Sequence, residues 1–176
     1  MKFPLYRHRN TLAAALLFLP AAVPQAAKPN APPAPPRGKL DIRMLVTAEP
    51  EQVFHPTKGP DGKFKEAAPV TIAPRGKDLA AVVFFKDCKP DTAGNCNVDV
   101  DLKGVDPRGM VFENRKGAPL WRGVKAPPPG FTRLGSSYKK MKLEAGDPAG
   151  VYRLTAIAHD RNAGIEVKAE SSFEAR

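Results

Sequence analysis

The stretch Val151–Phe173, VYRLTAIAHDRNAGIEVKAESSF, carries the clearest strand pattern in the chain. Tyr152, Leu154, Ala156 and Ala158 share one parity in a run that ends at Asp160. Arg161-Asn162-Ala163-Gly164 then supplies residues tolerant of positive φ. Beyond it, Ile165, Val167, Ala169 and Phe173 alternate with Glu166, Lys168, Glu170 and Glu174. A period of two on both sides of such a turn is a hairpin with one buried face.

The same pattern recurs upstream. In Leu40–Thr47 the apolar set Leu40, Ile42, Met44 and Val46 alternates with Asp41, Arg43 and Thr47. Leu79–Phe85 (LAAVVFF) is apolar on both parities, as a strand covered on both faces would be. Val98, Val100 and Leu102 alternate with Asp99, Asp101 and Lys103, and a turn at Asp106-Pro107-Arg108-Gly109 leads into Met110–Asn114. Met141 and Leu143 alternate with Lys140 and Lys142. Glu49–Arg75 is less regular, with a turn at Gly59-Pro60-Asp61-Gly62 and a short strand within Pro69–Ala73. No segment carries a 3.6-residue apolar stripe of helical length and no repeat of fixed period occurs. Short strands separated by turn signals predict an all-β antiparallel sandwich.

The N-terminus reads as an address. Met1–Asn10 contains Lys2, Arg7 and Arg9 with no acid; TLAAALLFLP follows, then the small residues of AAVPQAA. Basic, apolar and small-residue zones in that order make a secretory signal peptide over 1–27, destined for the periplasm or secretion. Its apolar core is far below the roughly 20 residues that span a bilayer, so no transmembrane segment is expected. KPNAPPAPPRG, residues 28–38, holds five prolines and reads as an extended spacer of about 3.1 Å per residue. A single domain over 39–176 follows.

Charge narrows the partners. The chain has 28 Lys and Arg against 18 Asp and Glu, a net +10; without residues 1–27 it is +7. An exported chain rarely meets nucleic acid, and no basic helix or aromatic-plus-basic RNA motif is present. An anionic envelope component, an acidic partner protein or a solvated basic surface are the readings left.

Two cysteines, Cys88 and Cys96, lie in KDCKPDTAGNC. An even pair in an exported chain is read as a disulfide, here stapling a loop between strands. A redox pair is more typically C-x-x-C beside a helix, and a metal site needs more soft ligands.

Catalysis finds little support. His55 sits in a proline-rich loop and His159 at a strand end, while Ser136, Ser137, Ser171 and Ser172 occupy no nucleophile elbow. No H-E-x-x-H, P-loop or G-x-G-x-x-G occurs. Asp87, Asp91, Asn95, Asn97 and Asp99 crowd the cysteine loop in a set that suits Ca²⁺, but tight turns recruit the same residues for backbone bonding. Copper would draw on His55, His159, Met44, Met110 and Met141, although packing accounts for methionines in strand patterns. No cofactor is expected.

DPAGVYRLTAIAHD resembles the corner of immunoglobulin-like domains, where a D-x-x-G-x-Y stretch bonds a tyrosine hydroxyl to nearby backbone. Asp147, Gly150 and Tyr152 match, which makes Tyr138–Glu144 the strand before the corner. Residues 39–176 also resemble a group of uncharacterised bacterial periplasmic proteins. The shared features are the C-x7-C loop (Cys88, Cys96), an LW-plus-basic segment (Leu120, Trp121), a Pro-Pro-Gly loop (Pro128, Pro129, Gly130) and the D-P-x-G-x-Y corner (Asp147, Pro148, Gly150, Tyr152). That resemblance implies an envelope location and an immunoglobulin-like sandwich, and no activity.

For recognition, the loop expected over Gly117–Ser137 gathers Trp121, Arg122, Phe131 and Arg133, with Pro127–Pro129 stiffening it. Rigid aromatics beside arginine are the composition of interface hot spots. Trp121 can equally plug the end of the core, with the prolines guarding an edge strand. The sequence therefore points to a non-enzymatic periplasmic binding module for an envelope protein or an anionic surface component, with a Ca²⁺- or Cu-binding protein as the alternative. Its oligomeric state is left open.

Overall fold

In the computed structural model, residues 39–176 are described; the expected signal peptide (1–27) and proline-rich spacer (28–38) lie outside them. The elements run β1 (Asp41–Thr47), α1 (Pro50–Phe54), β2 (Ile72–Ala73), β3 (Asp78–Lys86), β4 (Asn95–Val105), β5 (Val111–Lys125), β6 (Arg133–Lys142), β7 (Gly150–Asp160) and β8 (Ile165–Ala175). They form two sheets, ordered β1-β3-β6 and β2-β8-β7-β4-β5. This is an immunoglobulin-like β-sandwich. Every pairing is antiparallel except β2 with β8, which is parallel in an otherwise antiparallel design.

Alternation sets the core. Ile42, Met44 and Val46 of β1 and Leu79, Ala81, Val83 and Phe85 of β3 face Val98, Val100 and Leu102 of β4 and Leu154, Ala156 and Ala158 of β7. Phe85 is 1% exposed and Phe173 2%, each contributing about 2–3 kcal/mol through burial. At the far end Tyr152 stacks on Phe173 with ring centroids 5.1 Å apart, and Phe112 meets Tyr152 edge-on at 5.9 Å.

β3 is the central strand of its sheet, and its second parity, Ala80 and Val82, is also fully buried. The apolar run on both parities therefore reports two covers: the opposing sheet on one face, and α1 with its neighbouring chain on the other. α1 is a five-residue helix opened by Pro50, whose ring pre-sets the helical φ. It is too short to leave a helical period in the sequence. Ahead of it the Glu49 amide donates to Thr47 Oγ1 at 3.0 Å.

Two expected boundaries are corrected. The loop expected over Gly117–Ser137 is mostly strand: β5 continues to Lys125, β6 begins at Arg133, and only residues 126–132 connect them. The strand before the corner, expected over Tyr138–Glu144, is β6 and runs from Arg133 to Lys142. Gly117 (φ +60) and Gly123 (φ +67) bend β5 without ending it, and its register to β4 shifts four times. Bulged edge strands read as loops because glycine and proline are admitted there.

One bulge has a packing purpose. Val98 pairs with Trp121 and Asp99 with Pro119, so Leu120 is the extra residue. Leu120 and Trp121 consequently both enter the core, although neighbours in a regular strand would face opposite ways. β6 makes room at Gly135, where an added Cβ would lie 2.1 Å from Leu120 Cδ1 and 3.0 Å from the Val83 carbonyl oxygen. The adjoining hydroxyls join β6 to β5: Ser136 and Ser137 Oγ donate to the Pro119 carbonyl at 2.7 and 2.8 Å.

Candidate functional site: a groove beside the small sheet

The Cys88–Cys96 disulfide is formed, with a Cα–Cα distance of 6.0 Å, and both residues are buried. Its loop is organised by carboxylates. Asp160 is 1% exposed and accepts from the amides of Lys89 (2.7 Å), Asn162 (3.1 Å) and Ala163 (3.1 Å). Asn162 Nδ2 donates to the carbonyls of Lys89 and Asn95, both at 3.0 Å. The β7–β8 turn thereby clamps the cysteine loop against the end of the sandwich.

The three carboxylates considered for Ca²⁺ are engaged by protein donors. Asp91 Oδ1 accepts from the Asn95 amide at 2.9 Å, and Asp87, at φ +61, accepts from the Gly130 amide at 2.7 Å. Asp99 holds Arg122 and, at 3.1 Å, Arg161. The copper set is dispersed over the fold. Met44 lies in the core, Met110 at the β4–β5 turn, Met141 in β6, His55 after α1 and His159 in β7. Among the described residues, no three His, Cys, Asp or Glu side chains are grouped to hold a metal ion.

The four proposed contact residues separate. Trp121 packs on Phe85 with centroids 5.2 Å apart, and its Nε1 donates to the Lys125 carbonyl at 3.0 Å. Arg122 reaches Asp99 on the outer face of the five-stranded sheet. Phe131 stands in the 126–132 connection, 58% exposed. Arg133 opens β6 and faces a groove over the small sheet. Of the corner residues, Tyr152 Oη donates to the Pro148 carbonyl at 3.0 Å, Asp147 Oδ2 accepts from the Glu144 amide at 2.7 Å, and Gly150 starts β7.

On the five-stranded sheet, His159 lies between Asp101 (3.4 Å) and Glu166 (2.8 Å). The Gly117 amide, bonded to Asp101 Oδ1 at 2.7 Å, holds that carboxyl below its ordinary pKa, with His159 and Lys116 adding to the effect against the opposing cost of burial. With each acid already matched to a nearby donor or cation, the row reads as a cross-strand ladder of charge.

The groove over β1-β3-β6 differs in character. Its volume is about 980 Å³, at the upper end of the range for ligand pockets. Phe84 supplies its apolar floor, and the Arg43 guanidinium stands 5.3 Å from that ring's centroid. Val53 and Pro56 from α1 and its exit close one side, and Phe64, Ala67 and Pro69 another. The rim carries Arg43, Lys65, Lys86 and Arg133 against Asp41 and Glu66. Asp41 is held by Lys86 at 3.2 Å, and among the described residues Arg43, Lys65 and Arg133 have no ion-pair partner. Beside the groove, Lys140 Nζ stands 6.0 Å from the Phe54 ring and 5.9 Å from Tyr138, rings whose centroids are 4.7 Å apart. Sequence reading selected Arg133 and missed Arg43, Lys65 and Phe84. Arg43 sits on the polar parity of an ordinary strand pattern, and nothing local marks it.

No protein-family model and no curated protein matches the sequence. Among solved structures, the chain is similar to a family 123 glycoside hydrolase from Clostridium perfringens, described in terms of glycolipid glycan hydrolysis. That match has 9% identity and a TM-score of 0.41, covering 78% of this chain and 27% of that one. The chain thus spans 27% of the hydrolase's length. A Niemann-Pick type C2 protein from the Japanese carpenter ant is similar at 12% identity and a TM-score of 0.40, covering 77% of this chain and 92% of that one. At these scores neither likeness bears on the site.

Proposed function

We propose that the protein is a non-enzymatic binding module of the cell envelope that holds an anionic, partly apolar partner in the groove beside β1-β3-β6. The observation that carries this reading is the coincidence of an apolar floor at Phe84 with three cations, Arg43, Lys65 and Arg133, that pair with no carboxylate among the described residues. Unpaired cations beside a low-dielectric surface attract anions more strongly than the same charges fully in water. The disulfide fits an oxidising compartment. Among the described residues no helix is long and apolar enough to cross a membrane.

Charge reversal separates this site from a general attraction by net charge. Fluorescently labelled dextran sulfate serves as the polyanion and anisotropy as the readout. Arg43→Glu with Arg133→Glu lowers affinity by about tenfold or more, roughly the loss of one or two charge-assisted contacts. Lys103→Glu with Lys116→Glu changes net charge equally on the other sheet and leaves affinity within about twofold. Equal losses from both pairs would refute the groove as the site.

A further inference from the structure

Five consecutive residues of β1, Asp41 to Leu45, line the groove. In a strand, neighbours face opposite ways, and Ile42 and Met44 are core residues at 8% exposure. The cleft therefore meets the backbone of β1 as well as its outward side chains. Among the described residues, β1 is laddered to β3 alone, with Arg43 opposite Phe84 and Leu45 opposite Val82. The Val46 carbonyl points away from β3, because it accepts from the Val70 amide at 2.8 Å. By the period of an antiparallel ladder, the N–H and C=O groups of Ile42 and Met44 point the same way. Among the described residues none of these groups has a backbone partner.

The chain itself begins to pair with this edge and then leaves it. Val70 meets Val46, after which Ile72 and Ala73 join β8. Going the other way, the segment from Pro69 back to Phe64 diverges from β1 and forms the opposite wall of the groove. The opening between wall and edge continues a ladder that the chain starts with the Val70–Val46 bond and does not extend. Its charge selects the occupant. Arg43 projects on the outer face at the middle of the open edge, with Lys65 on the facing wall and Arg133 across β3.

We infer, on the proposed reading of this groove as the binding site, that its occupant is an extended acidic polypeptide segment that adds to the free edge of β1 as a further strand. Main-chain bonds to Ile42 and Met44 supply affinity that does not depend on sequence, and Arg43 and Lys65 select acidic side chains. A segment of about five residues at 3.3 Å each matches the open part of β1. Lysine and arginine along the edge also discourage pairing with basic chains, including a second copy of this one.

The test uses the acetylated, amidated peptide Glu-Val-Glu-Val-Glu and an analogue N-methylated at every residue, which keeps the charge and loses the amide donors. The parent peptide binds and slows hydrogen exchange at Ile42 and Met44. Complete N-methylation and Arg43→Glu each weaken binding by about tenfold or more. An analogue that binds as well as its parent overturns strand addition, and so does a parent that does not bind. Dextran sulfate keeps the two proposals apart. If it binds through Arg43 and Arg133 while the peptide does not, the groove reading stands and strand addition falls; if neither binds there, both fall.

Discussion

Asp160 shows how single side chains shape this molecule. A carboxylate 1% exposed is tolerated because three backbone amides, from Lys89, Asn162 and Ala163, converge on it. Asp160→Ala leaves those donors buried and unpaired and lowers unfolding free energy by about 3 kcal/mol, measurable by urea denaturation. A loss below about 0.5 kcal/mol, the level of an ordinary surface substitution, would show that the clamp is dispensable. In the sequence this residue was visible only as the end of an alternating strand. Two of its partners belong to the following turn, but the Lys89 amide lies 71 positions away, so nothing local announces the clamp. Arg43 was hidden in the same way. It occupies a polar position in a regular strand, and it matters because Phe84 and residues 64–69 come together around it. Trp121 stood out by composition, yet its ring packs on Phe85 and its N–H is satisfied within its own strand.

Among the elements, the hairpins were legible and the bulged edge was not. β7 and β8 follow from alternation and a four-residue turn because one buried face imposes period two on both. β5 was cut short in the sequence reading. Its Gly117, Pro119 and Gly123 resemble loop residues, whereas in the fold they accommodate four register shifts. The short strand expected within Pro69–Ala73 is β2, whereas its parallel pairing with β8 and the five-residue helix α1 left no period to read. The cysteine loop was legible from the residue pair and its turn formers, and the disulfide is present. Replacing both cysteines by alanine lowers stability by about 2.5 kcal/mol in the chain-entropy account of a loop this short, with the strand signature in far-UV circular dichroism retained. Complete unfolding of the variant at 25 °C would instead mean that the bridge, and not the apolar core, holds the sandwich together.

For the whole molecule, net charge indicated an anionic partner without locating one. On the five-stranded sheet, Asp99, Asp101 and Glu166 meet Arg122, Arg161 and His159, while Lys103, Lys116 and Arg153 stand exposed on the same sheet with no apolar groove beside them among the described residues. Beside the three-stranded sheet, Arg43, Lys65 and Arg133 surround an apolar floor with no ion-pair partner among the described residues. The groove's second wall comes from one long-range event, the return of the chain after α1 to bond Val46 and then join β8. Hydrogen exchange with dextran sulfate bound reads the consequence over the whole chain at once. The account predicts protection at Asp41–Leu45, at Phe64–Pro69 and at Thr132–Arg133, with the outer face of β7 and β8 unchanged. Protection confined to β7 and β8, or to the lysines of Lys139–Lys142, would contradict it.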